Sequence, residues 1–281
     1  MKITPIHAGL FKLDGGAMFG VVPKQLWSRK TRPDDNNMCT WAMRCLLIQT
    51  AGRNILIDTG MGDKQDEKFR KHFEPHGDQT LLGSLAAHGL APDEISDVFI
   101  THLHFDHVGG AVRYDEDGRL VPTFPKATYW SNERHYDWAY RPNAREAASF
   151  LHENFVPLRD RGVLRFLPTT KDRFEWLPGL EIQLCYGHTD AMMALHLDLG
   201  DHRLCYAADL LPSSFHVSLP WVMSYDVRPL QTLAEKQPFL EEMSRENAYV
   251  FFEHDPATAA GKIYQDERGR YRVRAASEYL G

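Results

Sequence analysis

The segment Val98-Phe99-Ile100-Thr101-His102-Leu103-His104-Phe105-Asp106-His107-Val108-Gly109-Gly110 constrains this chain more than any other. Its apolar and β-branched start reads as a buried strand. The strand then meets three histidines and one aspartate within six positions, followed by two glycines that let the backbone turn. Imidazole nitrogen and carboxylate oxygen are the donors that borderline divalent metals take. A single histidine at a strand end is ordinarily satisfied or solvated. Four such groups buried together without a cation would carry a heavy desolvation cost, so the segment is read as one edge of a metal site. If strand geometry continues through them, His102 and His104 point the same way. Asp106 and His107 lie past the turn and face a second point.

Three later segments repeat the arrangement. Leu180 to Cys185 alternates as a strand and leads through Tyr186 and Gly187 to His188; Arg203 to Ala208 leads to Asp209; Tyr249 to Glu253 leads to His254. The pattern His-x-His-x-Asp-His over 102–107, completed in this order, resembles that of the metallo-β-lactamase superfamily of hydrolases, and the resemblance covers nearly the whole chain. It implies an α/β fold, a four-layer αββα sandwich with ligands on loops at one edge. It also implies two divalent metal ions: one on His102, His104 and His188, the other on Asp106, His107 and His254, with Asp209 bridging. Zinc is the default, and manganese, iron or cobalt fit similar donors. Metals about 3.5–4 Å apart can share a hydroxide of near-neutral pKa, which attacks a polarised carbonyl. Asp106 and Asp209 are then the catalytic carboxylates, Asp106 as ligand first because a metal-bound carboxylate is a weak base. Asp58, in Ile55-Leu56-Ile57-Asp58-Thr59-Gly60, matches a further family feature; it either orients a ligand histidine from behind or caps a turn.

Substrate has to be argued from the walls of the site. Asp14-Gly15-Gly16-Ala17-Met18-Phe19-Gly20, Ala207-Ala208-Asp209-Leu210-Leu211-Pro212 and Phe252-Glu253-His254-Asp255-Pro256 resemble the branch of quorum-quenching N-acyl-homoserine lactonases and methyl parathion hydrolases. That branch implies a small-molecule lactone or ester, and Met18, Phe19, Trp138, Phe215, His216, Trp221, Met223 and Tyr225 are the candidate substrate contacts. Some lactonases carry a tyrosine where Pro212 stands here, so His216 or Tyr225 supplies that donor or none is needed. Phosphotriester or other ester hydrolysis is the alternative, since the same hydroxide can attack phosphorus. A diiron oxidoreductase is disfavoured by His104, which stands where such enzymes carry glutamate. A non-catalytic metal protein would be expected to lack a ligand.

Composition narrows the partners. The net charge of −6 gives no electrostatic footprint for nucleic acid, which disfavours a nuclease. No apolar run reaches the length of a membrane span, and Met1 to His7 lacks a secretion-signal core. Cys39, Cys45, Cys185 and Cys205 have neither metal-type nor redox-type spacing and read as free thiols; a cytoplasmic location is expected. With proposed ligands spanning 102–254, the 281 residues are expected to form a single domain. An extended N-terminal loop at 14–41 has no clear period and either lines the substrate mouth or a homodimer interface, or simply covers the core.

Local signals place the remaining elements. Thr80 to His88 reads as an amphipathic helix stopped at Gly89. Ser131 is expected to cap a helix, and a second helix is expected over about Ala144 to Phe155. Asp226 reads as the cap of a helix from Pro229 that is kinked or broken at Pro238.

Overall fold

The computed structural model describes residues 1–275. They form two compact units, one of Met1–Phe11 and Met43–Thr170, the other of Lys12–Ala42 and the described residues from Lys171 onward.

The first unit is built on a six-stranded sheet ordered Lys2–Asp14, Met38–Thr50, Arg53–Ile57, Asp97–Phe99, Thr128–Asn132, Leu164–Leu167. Its first two strands run on into residues of the second unit. Strand Arg53–Ile57 lies parallel to Asp97–Phe99, with Ile57 opposite Phe99, and the next two strands continue the parallel set. Asp58 and the histidine-rich segment therefore leave the sheet from neighbouring strand ends. Leu56, Val98, Ile100, Leu103, Val108 and Tyr129 are all fully buried in one apolar core beneath that edge. Each such side chain contributes roughly 1.5–3 kcal/mol on burial.

The second unit holds a seven-stranded sheet ordered Tyr271–Ala275, Ala260–Gln265, Tyr249–Phe251, Arg203–Tyr206, Met192–Asp198, Leu180–Cys185, Arg173–Leu177. Only Arg203–Tyr206 and Tyr249–Phe251 pair in parallel. Strand Leu180–Cys185 is antiparallel to Met192–Asp198, which is antiparallel to Arg203–Tyr206. The three strands that precede His188, Asp209 and His254 thus run in one direction and end at one edge. The helix Pro229–Arg245 packs on strand Ala260–Gln265.

Several expectations meet a different outcome. The ligand strand stops at Phe99. His102 and His104 lie in a loop, and Asp106 and His107 in the helical turn Phe105–Val108. The cause is a competition for backbone donors: Thr101 N–H goes to the Asp58 carboxylate at 2.8 Å and Leu103 N–H to His135 Nε2 at 2.8 Å, so the sheet ladder cannot continue. Asn132, not Ser131, caps helix Glu133–Tyr140, its side chain accepting from His135 N–H. No continuous helix covers 144–155. The Ser149 carbonyl is taken by Phe105 N–H, and regular turns resume at His152–Asn154 and Val156–Asp160. Pro238 sits inside an unbroken helix of 17 residues, and Arg173–Leu177 is a strand with no sequence expectation behind it. Residues Gly15–Phe19 and Lys24–Trp27 form helices of five and four residues, too short to leave a period.

The cysteines Cys39, Cys45, Cys185 and Cys205 are free and buried. Among the described residues no helix is long and apolar enough to cross a membrane.

Candidate metal centre

In the first unit the histidine loop is held from behind. Asp58 is fully buried with a left-handed φ of 57°, a backbone state that costs a non-glycine residue. Its carboxylate accepts from Thr101 N–H and from Thr101 Oγ1 at 2.7 Å, and faces His107 Nδ1 at 3.1 Å. His107 then presents Nε2 on the side of Asp106, whose Oδ2 lies 3.8 Å away. The His102 ring centroid is 3.9 Å from that of His107 and 4.6 Å from that of His104. His102 Nδ1 meets Thr101 Oγ1 at 3.1 Å. His104 Nε2 faces Glu146 Oε1 at 3.5 Å, longer than a strong hydrogen bond. The turn after His107 is possible only with glycine: a Cβ on Gly109 would stand 2.0 Å from the Met61 carbonyl oxygen.

In the second unit Asp209 faces two histidines at once. Its Oδ2 lies 3.1 Å from His188 Nε2 and its Oδ1 3.2 Å from His254 Nε2. The other ring nitrogens are held as firmly, His188 Nδ1 by Asp226 at 2.8 Å and His254 Nδ1 by the Ala42 carbonyl at 2.8 Å. Ala208, just before Asp209, has a positive φ of 46°, so the carboxylate is aimed by a strained turn. Gly187 precedes His188 because a Cβ there would meet Thr232 N at 2.3 Å. Burial by itself would lower the His188 pKa, but the Asp209 and Asp226 carboxylates outweigh it and raise the value to about 10. The two carboxylates thus favour positive charge at this point. Buried imidazoles and carboxylates, each with one atom committed outward, are the donor set of a divalent metal.

The expected residues thus fall into two groups. His102, His104, Asp106, His107 and Asp58 gather in the first unit, with ligand atoms of His102 and His104 within 4.8 Å of each other. His188, Asp209 and His254 gather in the second.

The apolar candidates divide as well. Phe19 is the hub of a cluster in the second unit, stacked on His216 at 5.1 Å and on Trp27 at 5.4 Å, with Trp221 edge-on at 5.5 Å and Phe215 at 6.4 Å. Met18, next to it, lends its carbonyl to His216 Nε2 at 2.8 Å. His216 Nδ1 is taken by Ser213 Oγ at 2.7 Å, so both ring nitrogens are spent and burial holds the pKa down at about 3. Met223 is buried, while Phe215, Trp221 and Tyr225 are half-buried. Trp138 stands apart in the first unit, where its indole donates to Glu146 Oε2 at 2.8 Å.

Sequence reasoning missed three supporting residues. Asp226 was assigned to a helix cap; that helix has Arg228 at its cap with no side-chain bond, and Asp226 goes to His188 instead. Glu146 and His135 carry no signal, because their partners His104 and Leu103 lie more than 30 residues away in sequence.

Known proteins are similar to this chain in sequence and fold. An N-acyl homoserine lactonase of Bacillus thuringiensis is 22% identical over 232 residues, 78% of this chain and 82% of the relative. The crystal structure of a probable metal-dependent hydrolase from Staphylococcus aureus is 29% identical and matches 100% of this chain and 98% of its own at a TM-score of 0.86. AidC, a dizinc quorum-quenching lactonase, is 22% identical and matches 99% and 95% at a TM-score of 0.79. The fold that the resemblance implied is therefore the one observed, the metallo-β-lactamase fold with its mixed sheets and helices. The family model of the metallo-β-lactamase superfamily matches residues 44–254, a span that takes in every proposed metal ligand, and by that match the chain belongs to the superfamily and is a metal-dependent hydrolase.

Proposed function

We propose that the protein opens the lactone ring of N-acyl homoserine lactones at a centre of two divalent metals, zinc by donor type. His102, His104 and His188 hold one ion in this reading, Asp106, His107 and His254 the other, and Asp209 bridges them. The observation that carries it is Asp209, whose two oxygens address two different imidazoles at 3.1 and 3.2 Å. One carboxylate serving two nitrogens is what a bridge between two ions requires.

When bound, the metals supply a hydroxide at neutral pH and a Lewis acid for the carbonyl. The chain's own residues do the rest. Asp58 and Asp226 hold His107 and His188 by Nδ1 and assign coordination to Nε2. Asp106 would serve as a ligand of the second ion. Phe215 and Trp221, half-buried and packed on the fully buried Phe19, offer an apolar wall to an acyl chain. Tyr225, half-buried, is the remaining candidate donor, since the ring nitrogens of His216 are both engaged. The lactonases among the relatives support the substrate class.

Phosphotriester hydrolysis is the second reading, favoured by Pro212, which gives its carbonyl to His254 N–H and offers no hydroxyl to a lactone.

Product-resolved hydrolysis of a long-chain N-acyl homoserine lactone by zinc-loaded protein tests the proposal, with His107→Ala as the control for spontaneous opening. Ring-opened acid formed only by the intact protein is the expected result. No turnover by protein holding two metals per chain would end the lactone reading and leave the phosphotriester one.

A further inference from the structure

The first unit contains a concave feature that the metal chemistry does not use. A cleft of about 310 Å³ opens among Leu10, Met43, Leu81 and Val112, and none of the proposed ligands lines it. One wall is fixed by two hydrogen bonds between Leu10 and His76, N–H to carbonyl in both directions at 3.0 and 2.8 Å. Another wall is Thr59, whose N–H and Oγ1 both donate to the His107 carbonyl at 2.7 and 2.9 Å. One wall of the cleft is thus hydrogen-bonded to the backbone of the histidine loop.

Its polar lining is unusual in two respects. Arg70 and Arg113 both line it, and among the described residues neither guanidinium has a hydrogen bond or ion pair. Against these two cations stands one carboxylate, Asp63. Thr123 also lines the cleft; it is 3% exposed, and its Oγ1 has no hydrogen-bond partner. A buried hydroxyl left without a partner is uncommon and costly, and points to a group that would satisfy it.

We propose that this cleft binds an amphipathic carboxylate, an anion with an apolar tail of intermediate length. The tail lies along Leu10, Met43, Leu81 and Val112, and the carboxylate is neutralised by Arg70 and Arg113, whose planar guanidinium forks match carboxylate geometry. The Thr123 hydroxyl donates to a ligand oxygen. An inorganic anion would forgo the apolar walls, and a neutral alcohol would forgo the charge. The inference does not depend on the lactone reading, because it rests on residues outside the proposed ligand set.

Zinc-loaded protein labelled with ¹³C at the methionine methyl groups is titrated with octanoate. The methyl of Met43 reports the cleft, and those of Met18 and Met223 report the aromatic wall of the second unit. A saturable shift of Met43 is expected, with Kd raised about tenfold in the Arg70→Gln, Arg113→Gln double variant and raised also in Thr123→Val. Octan-1-ol and inorganic phosphate should each bind at least about tenfold more weakly than octanoate. Overturning results are shifts confined to Met18 and Met223, a Met43 shift that survives the double arginine replacement, or phosphate binding as tightly as octanoate.

Discussion

Four of the five proposed ligand histidines have one ring nitrogen hydrogen-bonded to an oxygen of the protein: Thr101 for His102, Asp58 for His107, Asp226 for His188 and the Ala42 carbonyl for His254. That commitment fixes the tautomer and turns the opposite nitrogen toward a cation. These candidates were legible because three histidines and an aspartate in six positions have no cheap apolar explanation. Their supports were not, because an isolated Asp226, Glu146 or His135 looks like any other polar residue until the fold brings its partner close. Asp226→Asn tests the distinction. The amide keeps the shape but loses the charge that supports His188, so zinc affinity measured against a chelator should fall about 10–100-fold with the circular dichroism spectrum unchanged. Unaltered affinity would mean that Asp226 only packs.

At the level of elements, direction of strand and position of ligand go together. Asp58 and the histidine loop follow parallel strands of one sheet, and His188, Asp209 and His254 follow three like-directed strands of the other. The hydrophobic runs made these strands readable, and Thr80 with Gly89 bounded helix Leu81–Ala87 as expected. Where side chains took the backbone donors, as at Thr101 and Leu103, periodicity could not show where the strand stopped. Nor could it show what the apolar stretch after Leu210 is tied to. That tie is Lys236, 1% exposed on helix Pro229–Arg245, whose Nζ donates to the carbonyls of Ser218, Leu219 and Trp221 at 2.9, 3.3 and 2.7 Å. Burial lowers its pKa to about 7, the Asp226 charge acting the other way. Lys236→Met deletes three donors to half-buried carbonyls and should cost about 1–3 kcal/mol in urea unfolding, with Lys236→Arg recovering part of it. A methionine variant more stable than the parent would mean that the cost of burying the charge exceeds the value of its three bonds.

For the whole molecule, pH dependence follows from histidines that fold into apolar surroundings. His196 is 3% exposed, its Nε2 2.9 Å from Gln183 Oε1, and burial followed by the Arg173 charge holds its pKa at about 3. His216 is held as low by burial, against the carbonyl of Met18. Unfolding returns both to the ordinary imidazole value near 6.5. The folded pKa is the depressed one, so between about 6.5 and 3 the unfolded chain binds the proton that the folded chain refuses. Stability is then fully present above 6.5 and falls as the solution is acidified through that window. Between pH 7 and pH 5 each of these histidines should cost about 2 kcal/mol. The proposed ligand histidines contribute a pH dependence of their own. A difference measurement separates them: urea midpoints of the parent and of His196→Gln, taken at both pH values on the same zinc-loaded preparation. Replacing His196 removes only its own share, so the parent should lose about 2 kcal/mol more than the variant. Parallel losses in the two proteins would show that His196 takes up its proton in the folded state and that its burial is not an acid liability.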